Sequence, residues 1–292
     1  MFLRPQRTLR QSVETQGVGL FHGLDVRVRF QPAPANHGIQ FQRTDIDGAS
    51  PIPARIEFVT ASQRRTVIAA HGVQVEMIEH VMAALAGLRI DNCLIAVDGP
   101  ELPGFDGSCR EVCDLLLAAG IKEQDELREC VSLTMPVRIR SETDDAELVA
   151  RPMNRHGLAI TYQLDFGDRA PISPQNLTVE ITPETFVREI AFARTFVLQA
   201  EIAALQAAGY GQRVTYQDLV VFDSDGRAID NELRAADEPV RHKILDCLGD
   251  FALLGADLRG YFNGYRTGHR HNHELIRRVL LTHQDSTRME AV

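Results

Sequence analysis

The sequence predicts an α+β fold, and three observations carry that reading. Strand-like stretches come in groups, amphipathic helices follow each group, and that order occurs twice along 292 residues. At roughly 150 residues per domain, the length alone points to about two domains. With 44% hydrophobic and 24% charged residues, the chain has the usage of a globular protein and enough apolar mass for a substantial core.

Taken in order, Thr8 to Phe41 is β-rich, and Val26-Arg27-Val28-Arg29-Phe30 alternates as a half-buried strand does. Gln74 to Gly87 reads as a helix with Met77, Ile78, Val81, Met82 and Leu85 on one stripe. A strand is expected at Asn92 to Val97, turns over Gly99 to Ser108, and a second helix from Glu111 to Ala119 stopped by Gly120. Lys122 to Glu129 is charged and without apolar period, so it reads as a connector, dividing the chain into units 1–124 and 130–292. Beyond it come strands from Val131 through Val149 and from Ile160 to Phe166. A helical stretch at Pro183 to Ala193, a strand near Leu219 to Phe222 and a long helix from Glu238 to Leu254 follow. A last strand near Tyr261 and a helix from Asn272 to His283 complete the second unit. No fixed-period sequence repeat is visible.

Forty acidic against 31 basic side chains give a net charge of −9, which disfavours broad docking on nucleic acid. The five cysteines form no C-x-x-C pair, so they read as reduced thiols of a cytoplasmic protein. No secretory leader and no apolar run of membrane-spanning length is expected. Phosphate-loop, dinucleotide and nucleophile-elbow patterns are missing as well.

The sharpest local signal is His242-Lys243-Ile244-Leu245-Asp246 followed by Asp250. On a helix, His242, Asp246 and Asp250 fall within about 80° of one another, off the stripe of Ile244, Leu245, Leu248 and Phe251. An imidazole and a carboxylate one turn apart can reach one cation, although such pairs also occur on ordinary solvated faces. His80 offers a third ligand and Glu79 a general base acting on a metal-bound water. Two imidazoles and a carboxylate leave zinc an open position, and the same set suits ferrous iron.

In Gly268-His269-Arg270-His271-Asn272-His273, alternation puts His269, His271 and His273 on one strand face, as metal ligands or as one general acid. Asn272 reads equally well as a helix N-cap. Between Phe196 and Val214, residues Val197, Leu198, Ile202, Leu205 and Tyr210 form an apolar stretch, either core helix or a wall for a lipid chain.

These segments together resemble the UDP-3-O-acyl-N-acetylglucosamine deacetylase family, zinc amidases of lipid A biosynthesis. The resemblance rests on Gly17-Val18-Gly19-Leu20-Phe21-His22-Gly23, Pro32-Ala33-Pro34-Ala35-Asn36, Glu79-His80 with Ala83-Ala84-Leu85-Ala86-Gly87, and Ile90-Asp91-Asn92. It continues through Asp106-Gly107-Ser108, Ala193-Arg194-Thr195-Phe196, Val240-Arg241-His242-Lys243 with Asp246 and Gly249-Asp250, and Gly268-His269. It implies two similar layered domains, each a small mostly antiparallel sheet packed with helices, with the site between them.

By that resemblance His80, His242 and Asp246 are the metal ligands, Glu79 the general base and His269 the general acid, oriented and kept charged by Asp250. Thr195 donates to the oxyanion. Lys243, Arg266 and Phe166 would meet the nucleotide end of an acylated UDP-amino-sugar, and the insert near 196–217, with Phe196, Leu198 and Ile202, its acyl chain. A monomer is expected.

Two stretches depart from the family pattern: Gln212-Arg213-Val214-Thr215 replaces a Gly-Gly-Ser stretch, and Gly167-Asp168-Arg169-Ala170-Pro171 replaces a His-Pro pair. They leave open a paralogue acting on another amide. A ferrous oxygenase lacks its usual H-x-D spacing here, and a non-catalytic nucleotide-sugar-binding regulator would not need Glu79 and His269.

Overall fold

The first half runs β1 (Pro5–Leu9), β2 (Val13–Val18), β3 (Asp25–Pro32), β4 (Ile39–Arg43), β5 (Ile52–Pro53), β6 (Val59–Thr60), β7 (Val67–Ala70), β8 (Val73–Glu76), α1 (Glu79–Gly87), β9 (Cys93–Val97), α2 (Arg110–Ala119) and β10 (Ile121–Leu127). The second runs β11 (Cys130–Ser132), β12 (Val137–Ser141), β13 (Ala146–Arg151), β14 (Leu158–Leu164), β15 (Gln175–Ile181), α3 (Pro183–Thr185), β16 (Phe196–Leu198), α4 (Gln199–Ala207), β17 (Val220–Phe222), α5 (Glu238–Phe251), β18 (Asp257–Tyr265) and α6 (His269–Glu290). This is a computed structural model, describing residues 3–154, 156–167 and 171–290, with side chains through 283. Of the second departing stretch, Asp168, Arg169 and Ala170 therefore lie outside the described residues.

The fold is α+β, and its two main sheets share one connectivity. In the first half the order is β2-β3-β9-β4-β5, and in the second β12-β13-β18-β14-β15, with β11 also on β18. In both, the late central strand is antiparallel to one neighbour (β3 or β13) and parallel to the other (β4 or β14). In each, a helix precedes that strand, α1 before β9 and α5 before β18, and another follows it. The sequence shows no periodic repeat, yet the topology is duplicated.

Alternation sets the sheets: in β3, Val26, Val28 and Phe30 are buried while Asp25, Arg27 and Arg29 face water. Helices α1 and α5, the equivalent helices of the two halves, pack on each other. Burial therefore surrounds both, and His242, Asp246 and Asp250 lie inside the protein rather than on a solvated face.

Three local expectations are corrected. Gln74 to Glu76 is strand, not helix: β7 and β8 form a hairpin through His71 and Gly72, both at positive φ (52° and 77°), and Met77 (φ 60°) turns the chain before α1. Most of Lys122 to Glu129 is not a connector but strand β10, paired antiparallel with β1. Its apolar period is missing because five of its seven residues, Lys122 to Glu126, are polar and none of the seven is buried: β10 is the outer strand of its two-stranded ribbon. Finally, His269, His271 and His273 lie on a helix, not a strand, because α6 begins at His269. Asn272 is inside that helix and is not its N-cap.

Candidate metal centre

Helix α1 brings Glu79 and His80, and α5 brings His242, Asp246 and Asp250, to the contact between the helices. Glycine permits the approach: a Cβ on Gly249 would lie 2.1 Å from the carbonyl oxygen of Glu79. His80, His242 and Asp246 each offer a ligand atom within 4.8 Å of the others. His242 Nε2 is 3.3 Å and His80 Nε2 3.9 Å from Asp246 Oδ1.

The donor set has the protonation a divalent cation requires. Nδ1 of His242 donates to the Ala193 carbonyl at 3.1 Å, which leaves Nε2 a free lone pair. Burial, helped by its imidazole neighbour, lowers His80 to about 3, and burial also lowers His242, so both rings are neutral. Burial opposes ionisation of Asp246, but Lys243 Nζ at 2.7 Å outweighs it and holds the carboxyl well below the usual range. Two neutral imidazoles and an ionised carboxylate fit zinc or ferrous iron.

Beside this set lies a second network. Burial pushes the Glu79 carboxyl up to about 7, against His269 and with help from Asp250. His269 runs the other way: burial pulls it down, but Asp250 Oδ2, 2.8 Å from Nδ1, raises it to about 9. Its Nε2 stands 3.9 Å from Glu79 Oε1. Asp250 is wholly buried and accepts from Thr66 Oγ1 at 2.6 Å and Asn272 Nδ2 at 2.8 Å, with His273 Nε2 at 3.2 Å. The Thr66 backbone N–H donates to Glu79 Oε2 at 3.0 Å.

Thr66 thus holds both carboxylates, and the sequence reading missed it. It belongs to no motif and meets its partners only across the fold, so no local pattern marks it. The cluster spacing marks Asn272 and His273 but not their hydrogen bonds to Asp250. His271 turns away toward Asp144, 3.3 Å distant, which separates it from His269.

A cavity of about 1170 Å³ opens over these residues and is lined by every substrate-contact candidate named from the sequence: Lys243, Phe166, Arg266, Phe196, Leu198 and Ile202. Thr195 lines it too, its N–H donating to the Gly107 carbonyl at 2.8 Å. The Lys243 ammonium is engaged by Asp246, and Arg266 is paired with Asp145 (2.7 Å) and Asp165 (3.0 Å). Phe166 packs edge-on to Phe196, whose ring is 6.4 Å from that of His242. Helix α4 buries no residue, and its Ile202 and Leu205 line the cavity, so the helix of the insert is a cavity wall rather than core, while Val197 before it is buried. Among the described residues no helix is long and apolar enough to cross a membrane.

The family described as UDP-3-O-acyl N-acetylglycosamine deacetylase matches residues 6–281. A protein of Myxococcus xanthus named UDP-3-O-acyl-N-acetylglucosamine deacetylase is 37% identical over 94% of this chain and 86% of its own length. Proteins of the same name are 38% identical in Anaeromyxobacter sp. (94% of this chain, 88% of that protein) and in Shewanella baltica (96% and 91%). With a match that spans both halves and the helix pair between them, the chain belongs to the UDP-3-O-acyl N-acetylglycosamine deacetylase family.

Proposed function

We propose that the protein hydrolyses the N-acetyl group of UDP-3-O-(3-hydroxyacyl)-N-acetylglucosamine to the free amine and acetate, in lipid A biosynthesis. The observation that carries this reading is the pairing, beside one metal donor set, of a carboxylate poised as base with an imidazolium poised as acid. An oxygenase or a binding protein would have no use for that pair.

His80, His242 and Asp246 hold the ion, which we take to be zinc, with ferrous iron accommodated by the same ligands. When bound, it supplies a Lewis acid for the amide carbonyl and lowers the pKa of a water toward about 7. Glu79 takes a proton from the attacking water. His269, charged and oriented by Asp250, faces the developing oxyanion and then gives its proton to the leaving amine. The Thr195 hydroxyl donates a hydrogen bond to the same oxyanion.

We assign Arg266, Phe166 and Lys243 to the nucleotide end, and Phe196, Leu198 and Ile202 to the acyl chain. The division into units 1–124 and 130–292, a monomeric state and a cytoplasmic location belong to this reading, the last supported by five free cysteines. The test is release of free amine from the 3-hydroxymyristoyl substrate by protein given stoichiometric zinc. Turnover lost on chelation and restored by metal is expected; full turnover in the chelator would overturn the metal's part, and no turnover with metal bound would overturn the substrate.

A further inference from the structure

The insert does not hang free over the cavity; it is fastened to the first half by an Arg64–Glu201 ion pair (2.5 Å) on α4 and, further along, by an aromatic joint. There the Phe21 and Tyr210 rings meet edge to face, centroids 5.3 Å apart, and both line the cavity. The Arg65 guanidinium lies 4.1 Å above Phe21 and 5.2 Å from the Tyr210 centroid. Arg65 is itself fixed, because its Nε donates at 2.6 Å to the buried carboxylate of Glu76. Tyr210 stands between Gly209 (φ 87°) and Gly211 (φ 66°), left-handed positions that fold the chain back sharply there.

The four residues that depart from the family pattern secure this joint. Gln212 Nε2 caps the end of α4 by donating to the Gln206 carbonyl at 2.8 Å. Arg213 donates to the Gly23 carbonyl at 3.0 Å and, two-pronged, to Asp25 at 2.9 and 3.0 Å. The Val214 N–H turns back on Gly211, and Thr215 closes on Asp218 at 2.7 Å. A further tie, Gly211 N–H to the Phe21 carbonyl at 3.2 Å, joins the two backbones directly.

We propose that the Phe21–Tyr210 pair, clamped by Arg65 and strapped by Arg213 to Asp25, is the stop that fixes the length of 3-O-acyl chain the cavity accepts. This rests on the deacetylase reading for the identity of the chain. The alkyl group runs along Phe196, Leu198 and Ile202 and meets the pair where the insert rejoins the first half. Arg65 is anchored on a buried carboxylate, so swinging either ring aside breaks its stacking on a fixed guanidinium. A methylene beyond the stop gains no burial, which forfeits about fourfold in kcat/KM.

The test is a series of UDP-3-O-acyl substrates growing by single methylenes, measured as kcat/KM for the wild type, Tyr210→Ala, Phe21→Leu and Arg213→Ala. Arg213 is exposed and lies outside the cavity lining, so its variant keeps the test alive should a ring variant fail to fold. The expected result is an optimum moved to longer chains, with a gain of roughly fifteenfold for two added methylenes in Tyr210→Ala. A length profile unmoved in the folded variants overturns the stop. Binding of the matching UDP-3-O-acyl-glucosamines, followed by calorimetry, separates the two readings. If the wild type turns over no length, the deacetylase reading falls, while a shifted affinity profile still supports the stop and an unshifted one overturns it.

Discussion

The α-carbon of Gly249 faces the carbonyl oxygen of Glu79 so closely that a methyl group there would sit 2.1 Å from it. Backbone, not side chains, therefore sets the spacing of α1 and α5 at the metal centre. Gly249→Ala must force the helices apart, and overpacking of this kind costs about 1–3 kcal/mol. We expect a lower Tm together with weaker zinc affinity by competition with a chromogenic chelator. Wild-type affinity in the variant would show that the donor set does not depend on this contact.

Glu79→Ala and His80→Ala separate chemistry from ligation. The first should keep stoichiometric metal and lose about 10²–10⁴-fold in kcat, the usual contribution of a general base. The second should lose the metal itself. Elemental analysis beside turnover checks both, and a His80→Ala protein with full metal content would remove α1 from the ligand set.

The pH profile follows from the opposed shifts of the base and the acid. Glu79 works deprotonated, so kcat/KM rises as pH climbs through a limb at or below about 7, a bound cation drawing it further down. His269 works protonated, so activity is lost as pH rises through about 9. Asp250→Asn removes the charge that raises His269 and should bring the alkaline limb toward the ordinary imidazole value of about 6.5. An alkaline limb that stays at the wild-type pH would assign it to another group.

Thr66→Val keeps the backbone donor to Glu79 but deletes the hydroxyl that Asp250 accepts at 2.6 Å. A hydrogen bond to a buried charge is worth about 1.5–3 kcal/mol, so kcat should fall roughly tenfold or more with little change in KM. Thr66→Ser should recover most of it. Equal losses in both variants would make the residue a packing element only.

Much of this site was legible because helical spacing is local. His242, Asp246 and Asp250 recur every fourth residue, and the quoted motifs linked them to Glu79 and His80. Thr66 was not legible, since its role exists only where a loop from the first half meets α5 and α6. The burial of the His242 face was hidden for the same reason: its cover is α1, far away in sequence. Strand β10 escaped because a strand with no buried residue imposes no apolar alternation. Gln74 to Glu76 read as helix because the stripe of α1 seemed to extend backward through Met77, whose left-handed backbone no periodicity reveals.

The duplicated sheet order places α1 and α5 as counterparts, and the counterparts have not kept the same residues: one carries Glu-His, the other the spaced His, Asp and Asp. Neither half alone owns a complete ligand set. A cation bound between them would act as a rivet through two plates, so that metal occupancy and the docking of the halves rise and fall together. Anything that pries the halves apart, at however great a distance from the cavity, would then be read out as metal release.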